Sequence, residues 1–74
     1  MTEIETGLFE EVTIYFNPSV LVYGNGDAPL PIVVRDARVN YTKGDRFLHV
    51  CGAREEYSFQ VIDVKSIYYK HYKS

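Results

Sequence analysis

His49 and Cys51 are the residues whose types and spacing come closest to a catalytic pair. They alternate within a run of strand-forming residues, so their side chains project from one face about 6.5–7 Å apart. A Cys–His nucleophile needs its base within about 2.6–3.2 Å and a third, orienting group, and the neighbouring sequence offers neither. Phe47 shares this face, so we expect a hydrophobic face with a core cysteine and a hydrogen-bonded histidine.

Metal and cofactor sites have equally little support in the sequence. A zinc site requires three or four ligands at familiar spacing, whereas the chain offers His49, Cys51 and the distant His71. The segment Gly24–Pro29 begins like a dinucleotide-binding glycine fingerprint, but Pro29 stands where the third glycine belongs. We therefore interpret this segment as a turn and predict no metal, no cofactor and no enzymatic activity.

Acidic residues are concentrated in the first third of the chain. Residues 1–28 contain five acidic residues and no Lys or Arg, whereas residues 29–74 contain eight basic and five acidic residues. Glu10 and Glu11 are adjacent, and neighbours on a strand point to opposite faces, so they do not form a general acid and base couple. With Asp27 they form a candidate surface for a basic partner; the alternative is an ordinary solvated surface.

Tyrosine is unusually frequent, with seven residues among the 74. Near the C-terminus, aromatic and basic side chains alternate within one short run, and its candidate binding residues are Tyr68, Tyr69, Lys70, Tyr72 and Lys73. Such a run suits base stacking with phosphate neutralisation, or a protein interface, where tyrosine buries much area at low entropic cost. The remaining alternative is a last strand with one tyrosine face packed inward.

The length and composition predict one small domain over residues 1–74, with residues 1–7 and 73–74 flexible. The single cysteine, Cys51, excludes an intrachain disulfide. The N-terminus is acidic and lacks the pattern of a signal peptide, and no apolar run approaches the roughly 20 residues that span a bilayer. We therefore expect a cytoplasmic protein that is not embedded in a membrane.

The elements that position these residues follow a period of two, which is typical of antiparallel strands. A first strand over residues 11–16 places Val12, Ile14 and Phe16 on one face. A short second strand covers residues 20–23 and ends at the turn 24–27, while the prolines in residues 28–31 indicate a loop or the start of an edge strand.

Two further hairpins are the clearest structural prediction. A strand over residues 32–41 places Val33, Ala37, Val39 and Tyr41 on one face, with a bend or bulge near residues 35–36. Turns at residues 42–45 and 52–55 then connect it to strands over residues 46–51 and 57–61.

The segment after Val61 permits two interpretations. The first is a turn or single helical turn over residues 62–66 followed by a last strand over residues 67–72, which the β-branched and tyrosine content favours. The second is an amphipathic helix using Val61, Val64, Tyr68 and Tyr72. The fold class is therefore all-β, or α+β if the helix forms, with five to six strands in a small antiparallel barrel or a curved meander.

Part of the chain resembles a known family. The run Arg46–Gly52, the residues Tyr57–Phe59 and the step Val64–Ile67 are similar to the hairpin and the following "hydrophobic, Lys, Ser, Ile" step of bacterial PH-like domains, over residues 46–71. The resemblance implies a non-catalytic binding scaffold and assigns no functional residue.

Three functions remain open on this basis. The first is a protein-binding module, such as a small regulatory protein or an inhibitor of the type that phages use against host machinery, acting through its acidic N-terminal segment. The second is a small nucleic-acid-binding barrel that uses the Tyr/Lys-rich C-terminus with Arg35, Arg38 and Arg46, although the net charge of −2 opposes it. The third is a structural subunit that self-associates as a homo-oligomer through an edge strand or an exposed tyrosine face.

Overall fold

Five antiparallel strands form a single sheet in the computed structural model, which describes residues 3–17 and 30–73. The strands are β1 (Gly7–Phe16), β2 (Ile32–Asn40), β3 (Phe47–Cys51), β4 (Glu56–Gln60) and β5 (Val64–Lys70), and a 3-10 turn covers Val61–Asp63. Their order across the sheet is β4-β3-β2-β1-β5. The all-β prediction is confirmed. The predicted strand over residues 20–23 and the turn over residues 24–27 lie outside the described residues.

The sheet is strongly curved but is not a closed barrel. The rings of Phe16 on β1 and Phe59 on β4 lie 5.3 Å apart between centroids, although a flat sheet would separate strands three places apart by about 14 Å. The 3-10 turn Val61–Asp63 joins β4 to β5 within three residues, and Asn17 continues the β1–β5 pairing by donating its backbone N–H to the carbonyl of Asp63 at 2.9 Å. The sheet therefore curls until its two edges approach, and no ladder joins β4 to β5 in the described part of the chain. The barrel alternative was wrong, and the curved sheet of five strands is confirmed.

Both predicted hairpins are confirmed. Thr42 accepts a 2.9 Å hydrogen bond from the N–H of Asp45, and Gly44 adopts a φ of 95° that glycine tolerates. Gly52 donates its N–H to the carbonyl of Glu55 at 2.7 Å. These turns place β2, β3 and β4 side by side.

One face of the sheet carries the core, and Val12 and Ile14 lie in it as predicted, with Phe16 half-buried against it. The fully buried residues are Phe9, Val12, Ile14, Val34, Ala37, Val39, Leu48, Val50 and Val64. Strand β1 starts four residues earlier than predicted, at Gly7. Gly7 pairs with Val39, so the prediction of a flexible segment over residues 1–7 was wrong for this residue.

The alternation of β1 and β2 breaks at the same place in both strands. Phe9 pairs with Ala37 and Val12 pairs with Val34, and all four are buried although each pair lies three residues from the other. Asp36 has a φ of 50°, a left-handed conformation that Asp tolerates better than most residues. The irregularity predicted at residues 35–36 is thus present.

The break at Asp36 does not shift the register between β1 and β2. Each of the two strands contains one extra residue at the break, so the pairing of β1 with β2 is the same before and after it. The break does reverse the face of the preceding residues in β2. Val33, predicted to be in the core, is 48% exposed, and Val34 is buried in its place.

The C-terminal segment is a strand, so the helical interpretation was wrong. After the 3-10 turn, β5 pairs with β1 from Glu11 to Phe16, and a register shift between Tyr15 and Phe16 leaves Lys65 as the extra residue of a bulge. The strand ends at Lys70, two residues before the predicted end. Its pairing with β1 is decisive, since a helix here would leave one side of β1 without hydrogen-bond partners.

Candidate functional site

An exposed pair of tyrosines lies on the outer face of the sheet, where β1 and β5 pair. Tyr15 lies opposite Ser66, and Tyr68 lies opposite Thr13 on the same face. The two tyrosine rings pack edge to face with centroids 5.5 Å apart, while Tyr68 stays 67% exposed and Tyr15 37% exposed. Tyr15, Lys65, Ser66 and Tyr68 line a shallow depression here, and we call these four residues the tyrosine face.

The bulge at Lys65 supplies the positive charge of the tyrosine face. Because Lys65 is the extra residue of β5, it and Ser66 both stand opposite the end of β1. Two ion pairs occur between side chains of the described residues, and Lys65 takes part in neither. Its ammonium group is therefore free of a carboxylate partner among residues 3–17 and 30–73.

The two candidate binding regions predicted from the sequence lie on adjacent strands. Glu11 stands opposite Lys70 on β5 and opposite Arg35 on β2. Its carboxylate lies 3.6 Å from the Nε of Arg35, and Glu10 lies 3.9 Å from the Nζ of Lys70. Exposed pairs of this kind contribute about 0–1 kcal/mol to stability. The two ion pairs nevertheless reduce the negative charge of Glu10 and Glu11 that a partner would meet. The third predicted acidic residue, Asp27, lies outside the described residues.

Tyr69 belongs to the core side of β5. Its ring packs against Phe9 with centroids 4.8 Å apart, and its hydroxyl oxygen accepts a 2.9 Å hydrogen bond from the N–H of Glu5. Burial raises the pKa of the Tyr69 hydroxyl, and the hydrogen bond from Glu5 opposes part of that rise. Tyr69 therefore anchors the N-terminal segment and is not part of the exposed surface.

The chain after β5 folds back over the break in β1 and β2. The His71 ring lies 5.2 Å from that of Phe9 in an edge-on contact. The Tyr72 hydroxyl donates a 2.7 Å hydrogen bond to the carboxylate of Asp36. That hydrogen bond is the main cause of a raised pKa for Tyr72, with burial and the nearby charges adding to it. Of the predicted terminal run, Tyr68, Lys70 and Lys73 remain exposed to solvent without such a link to the core or to β2.

His49 and Cys51 lie on the outer face of β3, so the predicted core face was wrong. Leu48 and Val50 are the buried residues of this strand, while His49 is exposed and Cys51 half-buried. The predicted hydrogen bond of the histidine is confirmed, since its Nδ1 lies 2.8 Å from the hydroxyl of Ser58. In residues 3–17 and 30–73, no three His, Cys, Asp or Glu side chains are arranged to hold a metal ion.

The three arginines proposed to assist nucleic-acid binding are not gathered beside the tyrosine run. Arg35 is paired with Glu11, and Arg38 stands between Leu8 and Cys51 in the ladders. Arg46 lies at the other end of β3, beside a depression that it shares with Ile62.

Tyr15, Lys65 and Ser66 were not singled out as binding residues from the sequence. Tyr15 lies in the predicted first strand over residues 11–16, and Lys65 and Ser66 lie in the turn predicted over residues 62–66. Their proximity depends on the pairing of β1 with β5 and on the bulge in β5. The only local signal was the alternation of Val12, Ile14 and Phe16, which places Tyr15 on the opposite face.

Comparisons with known protein families, with curated proteins and with solved structures each found no match. The resemblance to PH-like domains therefore stays a prediction. The described residues include no helix of the length and apolar character needed to cross a membrane.

Proposed function

We propose that this protein is a protein-binding module that contacts its partner through the tyrosine face. The observation that carries the proposal is the edge-to-face pair of Tyr15 and Tyr68, exposed on the outer face of the β1–β5 ladder. Large exposed aromatic rings are costly to leave in water, and tyrosine has few rotatable bonds to immobilise on binding. Tyrosine is correspondingly enriched among the residues that dominate binding energy at protein interfaces.

The neighbours of the two rings indicate the chemistry of the partner. Val33 extends the apolar character across β1, since it pairs with Thr13, which in turn pairs with Tyr68. Lys65 adds a positive charge that has no carboxylate partner among the described residues, and Ser66 adds a hydroxyl group. A segment that combines an apolar or aromatic side chain with a carboxylate would satisfy all of these groups.

This surface replaces the acidic segment as the expected point of contact. Glu10 and Glu11 already have basic neighbours within 4 Å, so a basic partner would have to compete with them. A regulatory or inhibitory role, of the type that phages direct at host proteins, belongs to the same proposal. A small module of this kind acts by covering a surface that its partner needs for something else.

The test is site-specific photocrosslinking followed by affinity measurement. We expect a photoreactive phenylalanine analogue at position 68 to capture a protein that the same analogue at position 62 does not. Ile62 is a matched control because it is 78% exposed on the 3-10 turn and lines a different depression from that of the tyrosine face. Tyr68→Ser should then weaken binding of the purified partner by roughly 10–100-fold, as for an interface hot spot, while Ile62→Ser should leave it unchanged.

Two results would contradict the proposal. One is equal capture from positions 68 and 62, and the other is unchanged affinity in Tyr68→Ser when its circular dichroism and melting temperature match those of the wild type. If the analogue at position 68 captures nucleic acid, with an affinity that falls steeply with salt, the tyrosine face binds nucleic acid and the second hypothesis holds. Two variants of Lys65 test the role of its charge in binding. Lys65→Glu reverses the charge and should lose affinity for an acidic segment, whereas Lys65→Arg keeps the charge and should retain that affinity.

A further inference from the structure

The two edges of the sheet differ in how well they are protected against pairing with another strand. The β5 edge has a bulge at Lys65 and a second lysine at Lys70, and bulges and lysines are common protection against edge-to-edge association. The β4 edge, Glu56–Gln60, contains no lysine, proline or bulge, and its ladder with β3 is regular throughout. In the described part of the chain β4 has β3 as its one neighbour.

The hydrogen-bond phase of the β3–β4 hairpin shows which backbone groups point away from β3. Gly52 bonds to Glu55 at one end of the ladder, and Val61 donates its N–H to the carbonyl of Arg46 at the other. Bonded pairs alternate with non-bonded pairs in antiparallel ladders, so Tyr57 and Phe59 bond to β3. The N–H and C=O groups of Glu56, Ser58 and Gln60 are consequently directed outward.

We propose that two copies of this chain associate by antiparallel pairing of β4 with β4, about a two-fold axis at Ser58. This register places Ser58 opposite the partner's Ser58 and Glu56 opposite the partner's Gln60. It uses all three outward-facing residues and forms about six backbone hydrogen bonds. A two-fold axis at Tyr57 or Phe59 would pair fewer of them.

The side chains also fit this register. Glu56 meets an amide and not a second carboxylate, so no like charges stand directly opposite each other. On the inner face, the half-buried Tyr57 stands opposite the partner's Phe59, and each ring covers apolar area that the single chain leaves exposed. The tyrosine face belongs to the β1–β5 pair and takes no part in the β4–β4 ladder.

A contact made by a five-residue strand is small. Stable interfaces bury about 800 Å² on each partner, and so short an edge provides less, so we expect a dimer that forms with rising concentration. Sedimentation equilibrium from about 10 µM to about 1 mM should show the mass of the wild type rising from 8.6 kDa towards twice that value.

Ser58→Pro and Ser58→Ala form the matched pair of variants for this test. Both remove the hydroxyl that contacts His49, but only proline removes the outward N–H, which the β3–β4 ladder does not use. We expect Ser58→Ala to associate like the wild type and Ser58→Pro to raise the dissociation constant at least 10-fold.

Two charged variants of Ser58 test the same β4–β4 pairing if the proline variant does not fold. Ser58→Lys and Ser58→Glu each place like charges opposite each other at the axis, so each alone should stay monomeric, and an equimolar mixture should associate. The proposal is overturned if the wild type stays at 8.6 kDa throughout, or if both charged variants associate as well as the wild type. It is also overturned if association is lost in Tyr68→Ser and retained in Ser58→Lys.

Discussion

The hydroxyl group of Tyr72 lies where its neutral form is favoured. It donates a hydrogen bond to Asp36, so removal of its proton would break that bond and bring two negative charges together. Tyr57 is in a similar position, because its hydroxyl donates to Glu55 at 2.9 Å and its pKa is raised mainly by that bond. In Tyr69 the main cause of the raised pKa is burial.

These raised pKa values predict a loss of stability at alkaline pH. A tyrosine whose pKa is higher in the folded state stabilises the fold fully below its unfolded pKa of about 10, and this contribution is lost as the pH rises through the folded value. Tyr72→Phe should therefore weaken the decline of the unfolding free energy above about pH 10. Urea unfolding at several pH values between 8 and 11 measures it.

Tyr68→Phe is the control for that experiment, since no hydrogen bond of the Tyr68 hydroxyl occurs among the described residues. It should keep the pH dependence of the wild type. If Tyr72→Phe declines as steeply as the wild type, the bond to Asp36 does not contribute to the folded state.

Among the elements, the β3–β4 hairpin depends on Gly52 for its position against β2. A Cβ atom at residue 52 would lie 2.7 Å from Cγ1 of Val34 and 3.2 Å from the carbonyl oxygen of Arg35. Val34 is fully buried, so neither neighbour moves away easily. The glycine is required here because of space, whereas Gly44 is required because of its φ of 95°.

We expect Gly52→Ala to lower the unfolding free energy by about 1–3 kcal/mol, as for an overpacked core. Gly44→Ala meets no atom within 4 Å, so only the strain of its backbone conformation applies, at about 1–2 kcal/mol. Adding Val34→Ala should recover part of the loss in Gly52→Ala and none of the loss in Gly44→Ala. Urea unfolding of the four variants tests this, and the same effect of Val34→Ala in both backgrounds would argue against the contact.

Elements formed by residues close together in the sequence could be predicted, whereas pairing between distant segments could not. The hairpins over residues 37–61 were predicted because glycine turns and alternation are local signals. Val33 and Val34 were exchanged because Val33 was placed on the face of Ala37 and Val39. The break near residues 35–36, where the polar doublets Glu10–Glu11 and Arg35–Asp36 face each other, reverses the alternation instead. The pairing of β1 with β5 joins distant segments, and no local pattern indicates it, so the tyrosine face could not be predicted.

At the scale of the whole molecule, the charge asymmetry of the sequence is resolved within the sheet. The acidic β1 lies between β2 and β5, which supply Arg35 and Lys70. Two of the five acids in the first third therefore have basic neighbours on adjacent strands, which reduces the expected long-range attraction of a basic partner.

The small core leaves little stability in reserve. Domains have unfolding free energies of roughly 0.05–0.15 kcal/mol per residue, or about 4–11 kcal/mol for 74 residues. Leu48 is fully buried, and Leu48→Ala should cost about 2–5 kcal/mol, a large part of the total. Ile62→Ala, on the exposed 3-10 turn, should stay within about 0.5 kcal/mol. Urea denaturation compares them, and similar midpoints for the two variants would show that Leu48 is not central to the core.

The 3-10 turn at Val61–Asp63 has a consequence for the order of folding. It is the short connection between the two outermost strands, and it sends the chain back to β1, so that Glu5 and Tyr69 make contact across 64 residues of sequence. Closure of such distant contacts is slow compared with hairpin formation. The local hairpins of β2, β3 and β4 can therefore pair early in folding, while one side of β1 lacks hydrogen-bond partners until β5 docks. Until then the sheet has two open edges, β1 and β4.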